Sequence, residues 1–177
     1  VIGPSKFGIP ANIVANYWVI HYKGDIGLPK EYEGSGRFRF WGLADDVLIV
    51  RIGDEWVLDA CWGSDFHVMR GFEYEDKEGH RVHSLGNHVA RIGNWFELEP
   101  GEPIEMQLVI SEIPGGTFSM MLLVEEEGVD YPKNEFGAPI IPMFKTMEVP
   151  EHLVQEIKYQ TVPDRFDIEG GPIFGIY

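Results

Sequence analysis

The sequence predicts an all-β chain, an antiparallel β-sandwich or partly closed barrel with one short helix near its C-terminal end. Three observations point there. Apolar and polar residues alternate with a period of two in several segments, the pattern of a half-buried strand. Gly and Pro, 21 and 12 in 177 residues, punctuate those segments at short intervals and suit many turns. A single segment, Pro150–Tyr159, spaces its apolar residues at the helical period.

The elements follow in chain order. Asn16–Tyr22, "NYWVIHY", is aromatic and β-branched and predicts an N-terminal strand over 16–22, closed by a turn at Lys23-Gly24-Asp25. In "GRFRFWGLA" Arg37 and Arg39 alternate with Phe38 and Phe40. Val47–Ile52, "VLIVRI", is apolar on both faces, as an inner strand is, and Gly53-Asp54 predicts a tight hairpin into "EWVLDA". Ile104, Met106, Leu108 and Ile110 share one face of a later strand; Phe118, Met120, Leu122 and Val124 share one face of the next. Pro114-Gly115-Gly116 between them predicts a hairpin. Gly63–Asn94 is irregular, with a second hairpin expected near Lys77-Glu78-Gly79, and is long enough to carry function. Pro150 suits a first helical position, and Leu153, Val154 and Ile157 are expected on one side of the helix. The C-terminal "PDRFDIEGGPIFGIY" is apolar enough to dock. Length favours a single domain over 1–177.

Composition narrows the function classes. Hydrophobic residues make up 44% and aromatics 13%, enough for a real core. Asp and Glu number 29 against 14 Lys and Arg, a formal charge of -15. Such a chain repels phosphate backbones and anionic lipid and attracts cations, so nucleic acid is not an expected partner. The charge is dispersed apart from short runs such as Glu125-Glu126-Glu127, which suggests solubility. No apolar run reaches the roughly 18 residues of a membrane-spanning helix, and no basic and apolar leader is visible. The start at Val1 suggests a piece of a longer or processed protein. Cys61 is the only cysteine, so an internal disulfide and a Cys-based zinc site are excluded; in "LDACW" it reads as a small buried hydrophobe.

Candidate chemistry centres on Asp45 and Asp46 at the mouth of the Val47–Ile52 strand. Neighbours on a regular strand face opposite ways, so the two carboxylates share one ion only if the backbone bends between them. A cis peptide is one such bend, and a hard cation suits a pair of carboxylates. The bland alternative is a turn whose aspartates accept backbone N–H bonds. Adjacent carboxylates are poorly placed for a general acid/base pair. His80, His83 and His88 could hold zinc, but their spacing matches no ligand motif, and exposed loop histidines are the plainer reading. His67 and His152 are isolated, and His21 reads as an interior or edge residue of its strand. No nucleophile elbow, P-loop or dinucleotide motif is present. Most of the five tryptophans are expected in the core, with Trp62 and Trp95, which border the irregular segment, the candidates for exposed ligand-binding rings.

Taken together, Phe38-Arg39-Phe40, Asp45-Asp46, Gly53-Asp54-Glu55, Val57-Leu58-Asp59, Leu98-Glu99-Pro100-Gly101, Pro103-Ile104-Glu105-Met106 and the Gly115-Gly116 turn into Phe118–Val124 resemble the PA14 domain, a β-barrel-like module of bacterial toxins, glycosidases and yeast adhesins. The resemblance covers about residues 34–125, with the strand at 16–22 and the extension 130–177 outside it. It implies that Asp45 and Asp46, joined by a cis peptide, bind Ca2+, which in turn binds sugar hydroxyls. Where adhesins carry an asparagine ligand this chain has Glu112, which changes charge and reach. The turn Gly53-Asp54-Glu55 also departs from the family's Asp-Gly-Lys type.

The function expected from all this is a non-catalytic ligand-binding module of a larger exported or cell-surface protein. It would take Ca2+ on Asp45, Asp46 and Glu112 and carbohydrate as ligand. The alternative is a structural or protein-interaction module of a surface assembly, with another protein as partner. An accessory domain of a glycosidase and a zinc enzyme are the weaker enzymatic readings.

Overall fold

The computed structural model describes residues 18–61, 84–85, 88–113, 119–134, 139–160 and 166–177. Trp62, His67, His80, His83, the expected turn at 77–79 and Pro114-Gly115-Gly116 lie outside the described residues.

The strands are β1 (Trp18–Gly27), β2 (Arg37–Asp45), β3 (Val47–Ile52), β4 (Glu55–Asp59), β5 (Ser84–Leu85), β6 (His88–Val89), β7 (Arg91–Ile92), β8 (Phe96–Glu97), β9 (Ile104–Glu112), β10 (Ser119–Glu126) and β11 (Gly175–Ile176), with one helix, α1 (Glu151–Gln160). The larger sheet runs β11-β1-β9-β3-β4. The facing sheet runs β10-β2-β7, with β8 also paired to β2, and β5 and β6 form a separate ribbon. All strand pairs are antiparallel. The chain is therefore all-β, with one short helix among the described residues, and its two main sheets stack without closing into a barrel.

The alternation read from the sequence sets the inner faces. Phe38 and Phe40 of β2, Leu48, Val50 and Ile52 of β3, and Met106 and Ile110 of β9 are buried in one cluster. Ile104, Leu108, Met120 and Leu122 pack against that cluster half-buried, as their spacing predicted. On the inner face of β2, Phe40 lies against Phe96 of β8 with ring centroids 4.8 Å apart. Further along that face β2 carries Gly42 and Ala44, where the larger sheet comes close: a Cβ on Gly42 would stand 2.9 Å from the Cβ of Ala60.

A second core lies on the other face of the smaller sheet. Trp41 and Leu123 point away from the larger sheet and meet Ile92, Ile141, Val154, Phe166 and Ile168. The segment after residue 130, including α1, thus forms a third layer. It also returns to the first core: Phe144 and Phe174 pack on Phe40 and Phe38 with centroids 5.5 and 5.3 Å apart. The expectation that the C-terminal end docks holds for the described residues.

Several local expectations change. The strand read over 16–22 is described from Trp18 and runs on to Gly27, and no turn interrupts it at Lys23-Gly24-Asp25, because Gly24 pairs with Met106 inside the ladder. The β3–β4 hairpin forms as read, with Gly53 at φ +55 in its turn and a register shift after Val50. β9 and β10 are not a hairpin. Both edges of β9 are taken, by β1 and β3, so β10 pairs with β2 in the facing sheet. In α1, Pro150 stands just before the helix, and its carbonyl accepts the N–H groups of Leu153 and Val154 at 2.8 and 3.1 Å. Val154 is buried and Ile157 half-buried, but Leu153 is 44% exposed, so the apolar side is narrower than three residues.

Two glycines make a measurable contrast. Gly42→Val overfills the close approach of β2 to Leu48, Leu58 and Ala60 and should lower unfolding free energy by about 1–3 kcal/mol. A Cβ on Gly24 meets nothing within 4 Å, so Gly24→Ala should change stability by no more than about 0.5 kcal/mol in either direction by urea denaturation.

Candidate metal centre

The chain leaves the smaller sheet at Asp45 and enters the larger sheet at Val47, with Asp46 the single residue between the two strands. The bond joining Asp45 and Asp46 is cis. Asp46 is tied to the end of β9: its N–H donates to the Ser111 carbonyl at 3.3 Å, and its Oδ2 accepts the Ile113 N–H at 2.5 Å. Glu112, the last residue of β9, lies between Ser111 and Ile113 and pairs with Trp18 across the β1 ladder. The corner between sheets thereby gathers the carboxylates of Asp45, Asp46 and Glu112 at the end of β9.

Glu112 shows the consequence. Its Oε2 is shielded from solvent and accepts no hydrogen bond among the described residues. Burial, and then the charges of Asp46 and Asp45, push its pKa above the ordinary glutamate value. A shielded carboxylate oxygen without a donor, facing two like charges, costs free energy unless something positive meets it. Asp45 and Asp46 thus lie within electrostatic reach of Glu112. They do not form a finished cage, because among the described residues no group of three or more His, Cys, Asp and Glu side chains is arranged to hold a metal ion. The orphaned oxygen and the hard, anionic donor set fit Ca2+ in kind.

The other candidates fare differently. Trp95 is half-buried, and the guanidinium groups of Arg39 and Arg37 lie 4.5 and 5.4 Å from its ring centroid. Its ring thus already stacks on arginine. Trp56, not singled out beforehand, is the most exposed described tryptophan at 39% and carries Arg51 at 5.4 Å. His21 is exposed and bonds the Gln107 side chain at 3.1 Å. The backbone of His88 lies in β6. Burial and a hydrogen bond to Asp59 raise the Cys61 thiol to about 12, so it stays protonated and unreactive at neutral pH.

The acidic run has a structural role that its sequence did not suggest. Glu125 binds Arg39 through two hydrogen bonds of 2.6 and 3.0 Å and also accepts the Trp41 Nε1–H at 2.6 Å. Glu126 is buried and accepts the Tyr32 hydroxyl at 2.6 Å and the Ser35 N–H at 2.7 Å. Glu127 pairs with Arg37 at 2.5 Å. The available signal was the matched alternation of Arg37-Phe38-Arg39 and Glu125-Glu126-Glu127, but it is legible only once β2 and β10 are known to pair.

Neither a protein-family model, nor a curated protein, nor a solved structure matches the chain.

The Glu112 shift fixes a sign. Its folded-state pKa is raised, so the folded chain holds this proton more tightly than the unfolded chain does. The stabilising contribution is complete below the ordinary glutamate value and is lost as pH rises through the folded value. In calcium-free buffer, Glu112→Gln should therefore melt higher than the parent at neutral pH. The difference should vanish below the ordinary glutamate range in thermal melts taken across pH.

Proposed function

We propose that the chain is a non-catalytic, calcium-dependent ligand-binding module of an exported or cell-surface protein, with carbohydrate as the ligand class. The observation that carries this reading is the shielded Oε2 of Glu112, which accepts no hydrogen bond among the described residues and lies in the field of Asp45 and Asp46. Asp45, Asp46 and Glu112 would hold the ion. A calcium ion takes about 6–8 oxygen ligands, more than these side chains supply without strain, so positions remain for sugar hydroxyls or water. The ion would offset the mutual repulsion of the carboxylates and leave Glu112 ionised. Sites of this kind with few protein ligands bind in the range of about 10⁻⁴–10⁻³ M, which suits an extracellular setting.

A second reading is a protein-interaction module of a surface assembly, in which the aspartates only anchor the corner. The Ile113 N–H bond to Asp46 and the exposed apolar side chains Val19, Tyr22 and Ile176 favour it.

Calorimetric titration with calcium chloride separates the two. The parent chain should bind at millimolar calcium or tighter. A hundredfold excess of calcium over its Kd should raise unfolding free energy by about 2.7 kcal/mol. Asp46→Ala and Glu112→Gln should each abolish most of that gain. Calcium-loaded protein should then retain a monosaccharide from a panel of glucose, mannose and galactose, and EDTA should release it. No heat at millimolar calcium, or undiminished binding by Asp46→Ala, would overturn the calcium reading.

A further inference from the structure

We propose that the outer edge of β1, with the apolar cleft beneath it, docks an extended peptide strand of another protein. That strand would carry basic residues at its outward positions and apolar residues at its inward ones. The inference is independent of the calcium site, which lies at the other end of β1 beside Glu112.

The edge comes first. β11 pairs with β1 only at Ile26 and Gly27, and the Tyr177 N–H adds a bond to the Asp25 carbonyl at 3.0 Å. On an antiparallel strand both backbone groups of a residue point the same way, and successive residues alternate. The outward Asp25 carbonyl therefore places the N–H and C=O groups of Val19, His21 and Lys23 on the outward edge too. Among the described residues no strand pairs with that edge over 19–24. Val19 is 68% exposed and Tyr22 is 47% exposed. Unpaired edges of this length are templates for an added strand.

The cleft is a second and separate observation. Tyr22, Gly24 and Ile26 lie on the inner face of β1, which the narrower opposite sheet leaves partly uncovered. With Met106, Leu108 and Phe144 they line an open cavity of about 400 Å³. That is within the size of ligand sites, about 300–1,000 Å³. Gly24 keeps it open, since a side chain there would meet nothing within 4 Å. A strand laid along β1 in the register that β11 already follows would set one inward side chain opposite Gly24 and another opposite Tyr22. Cross-strand neighbours are close enough for the first to fill the gap that glycine leaves. Backbone pairing and an apolar anchor then act on the same segment, the combination by which strand addition gains both affinity and selectivity.

Charge selects the occupant. The chain carries -15, so a second copy offering its own β1 would bring an equal like charge. Near the edge, Lys23 is neutralised by Glu105 at 2.7 Å, while Asp25 is exposed. Outward lysines or arginines on the incoming strand would be attracted by both the local and the overall field.

The test uses the full chain and a capped synthetic peptide that alternates lysine with valine around a central leucine. Amide hydrogen exchange by NMR should show fast exchange at Val19, His21 and Lys23 in the free chain. Near-saturating peptide should slow these three by about tenfold or more, while neighbours already bonded to β9 change little. The same peptide N-methylated on its pairing amides keeps its charge and should lose the protection, and a version with glutamate for lysine should bind more weakly. Gly24→Leu, which fills open space and should fold normally, should weaken binding about tenfold. Slow exchange at the three amides before peptide is added would overturn the proposal, as would equal protection by the N-methylated peptide or parent-like binding by Gly24→Leu. Protection that tracks self-association in sedimentation without peptide would likewise overturn it, in favour of a second copy.

Discussion

The convergence of the two sheets at Gly42 and Ala44 is the constraint on which the rest of the structure depends. Small side chains there let β2 approach Leu48, Leu58 and Ala60 closely enough for the chain to cross from one sheet to the other through Asp46 alone. A wider end would need a longer loop, and a longer loop would not present Asp45 and Asp46 at a fixed angle to the end of β9. The packing of glycine and alanine in the core is therefore what gathers the carboxylates of Asp45, Asp46 and Glu112. Farther along the same core, Phe38, Phe40, Phe96, Phe144 and Phe174 pack large rings against one another and add apolar burial.

The smaller sheet is buried on both faces, and this explains features that looked unrelated. Trp41 and Leu123 need a cover on the side away from the larger sheet, and the segment after residue 130 supplies it with Ile141, Val154 and Phe166. At the rim of that sheet, Arg37 and Arg39 cannot reach bulk water freely on every side, and they are met by Glu127, Glu125 and the ring of Trp95. The two-pronged, charge-assisted Arg39–Glu125 pair is stronger than scattered surface ion pairs and ties β2 to β10. The Tyr32 and Ser35 bonds to Glu126 fasten the loop between β1 and β2 to the same strand. An acidic run that could pass for a solubilising tract is in this way a set of structural anchors.

The larger sheet is less completely covered. Its inner strands, β9 and β3, have partners on both edges and apolar side chains under the opposite sheet. β1 reaches beyond that cover, so its inner face opens at Gly24 and its outer edge is unpaired over 19–24 among the described residues. Among the described residues, the open cleft at Gly24 and the unpaired edge of β1 thus arise from one asymmetry: a broad sheet facing a narrow one.

The sequence by itself determined the all-β class, the inner faces of β2, β9 and β10, the inner position of β3, the β3–β4 turn and the position of the helix. All of these rest on periodicity and turn chemistry, which act over a few residues. It also marked Asp45 and Asp46, and made a bend between them the condition for sharing an ion, because adjacent side chains on a strand diverge; that the bond is cis is a fact of the structure. Only the tertiary structure decided that β9 and β10 belong to different sheets, that Leu153 faces outward, that Trp95 is stacked by arginine and that Glu125, Glu126 and Glu127 are anchors. It also decided that Glu112 stands beside the aspartates with one oxygen unmet. Each of these depends on which edges and faces are already occupied when a segment arrives, and occupancy is set by residues up to a hundred positions away. Local pattern cannot carry that information, since the same alternation of apolar and polar side chains suits any free edge of either sheet.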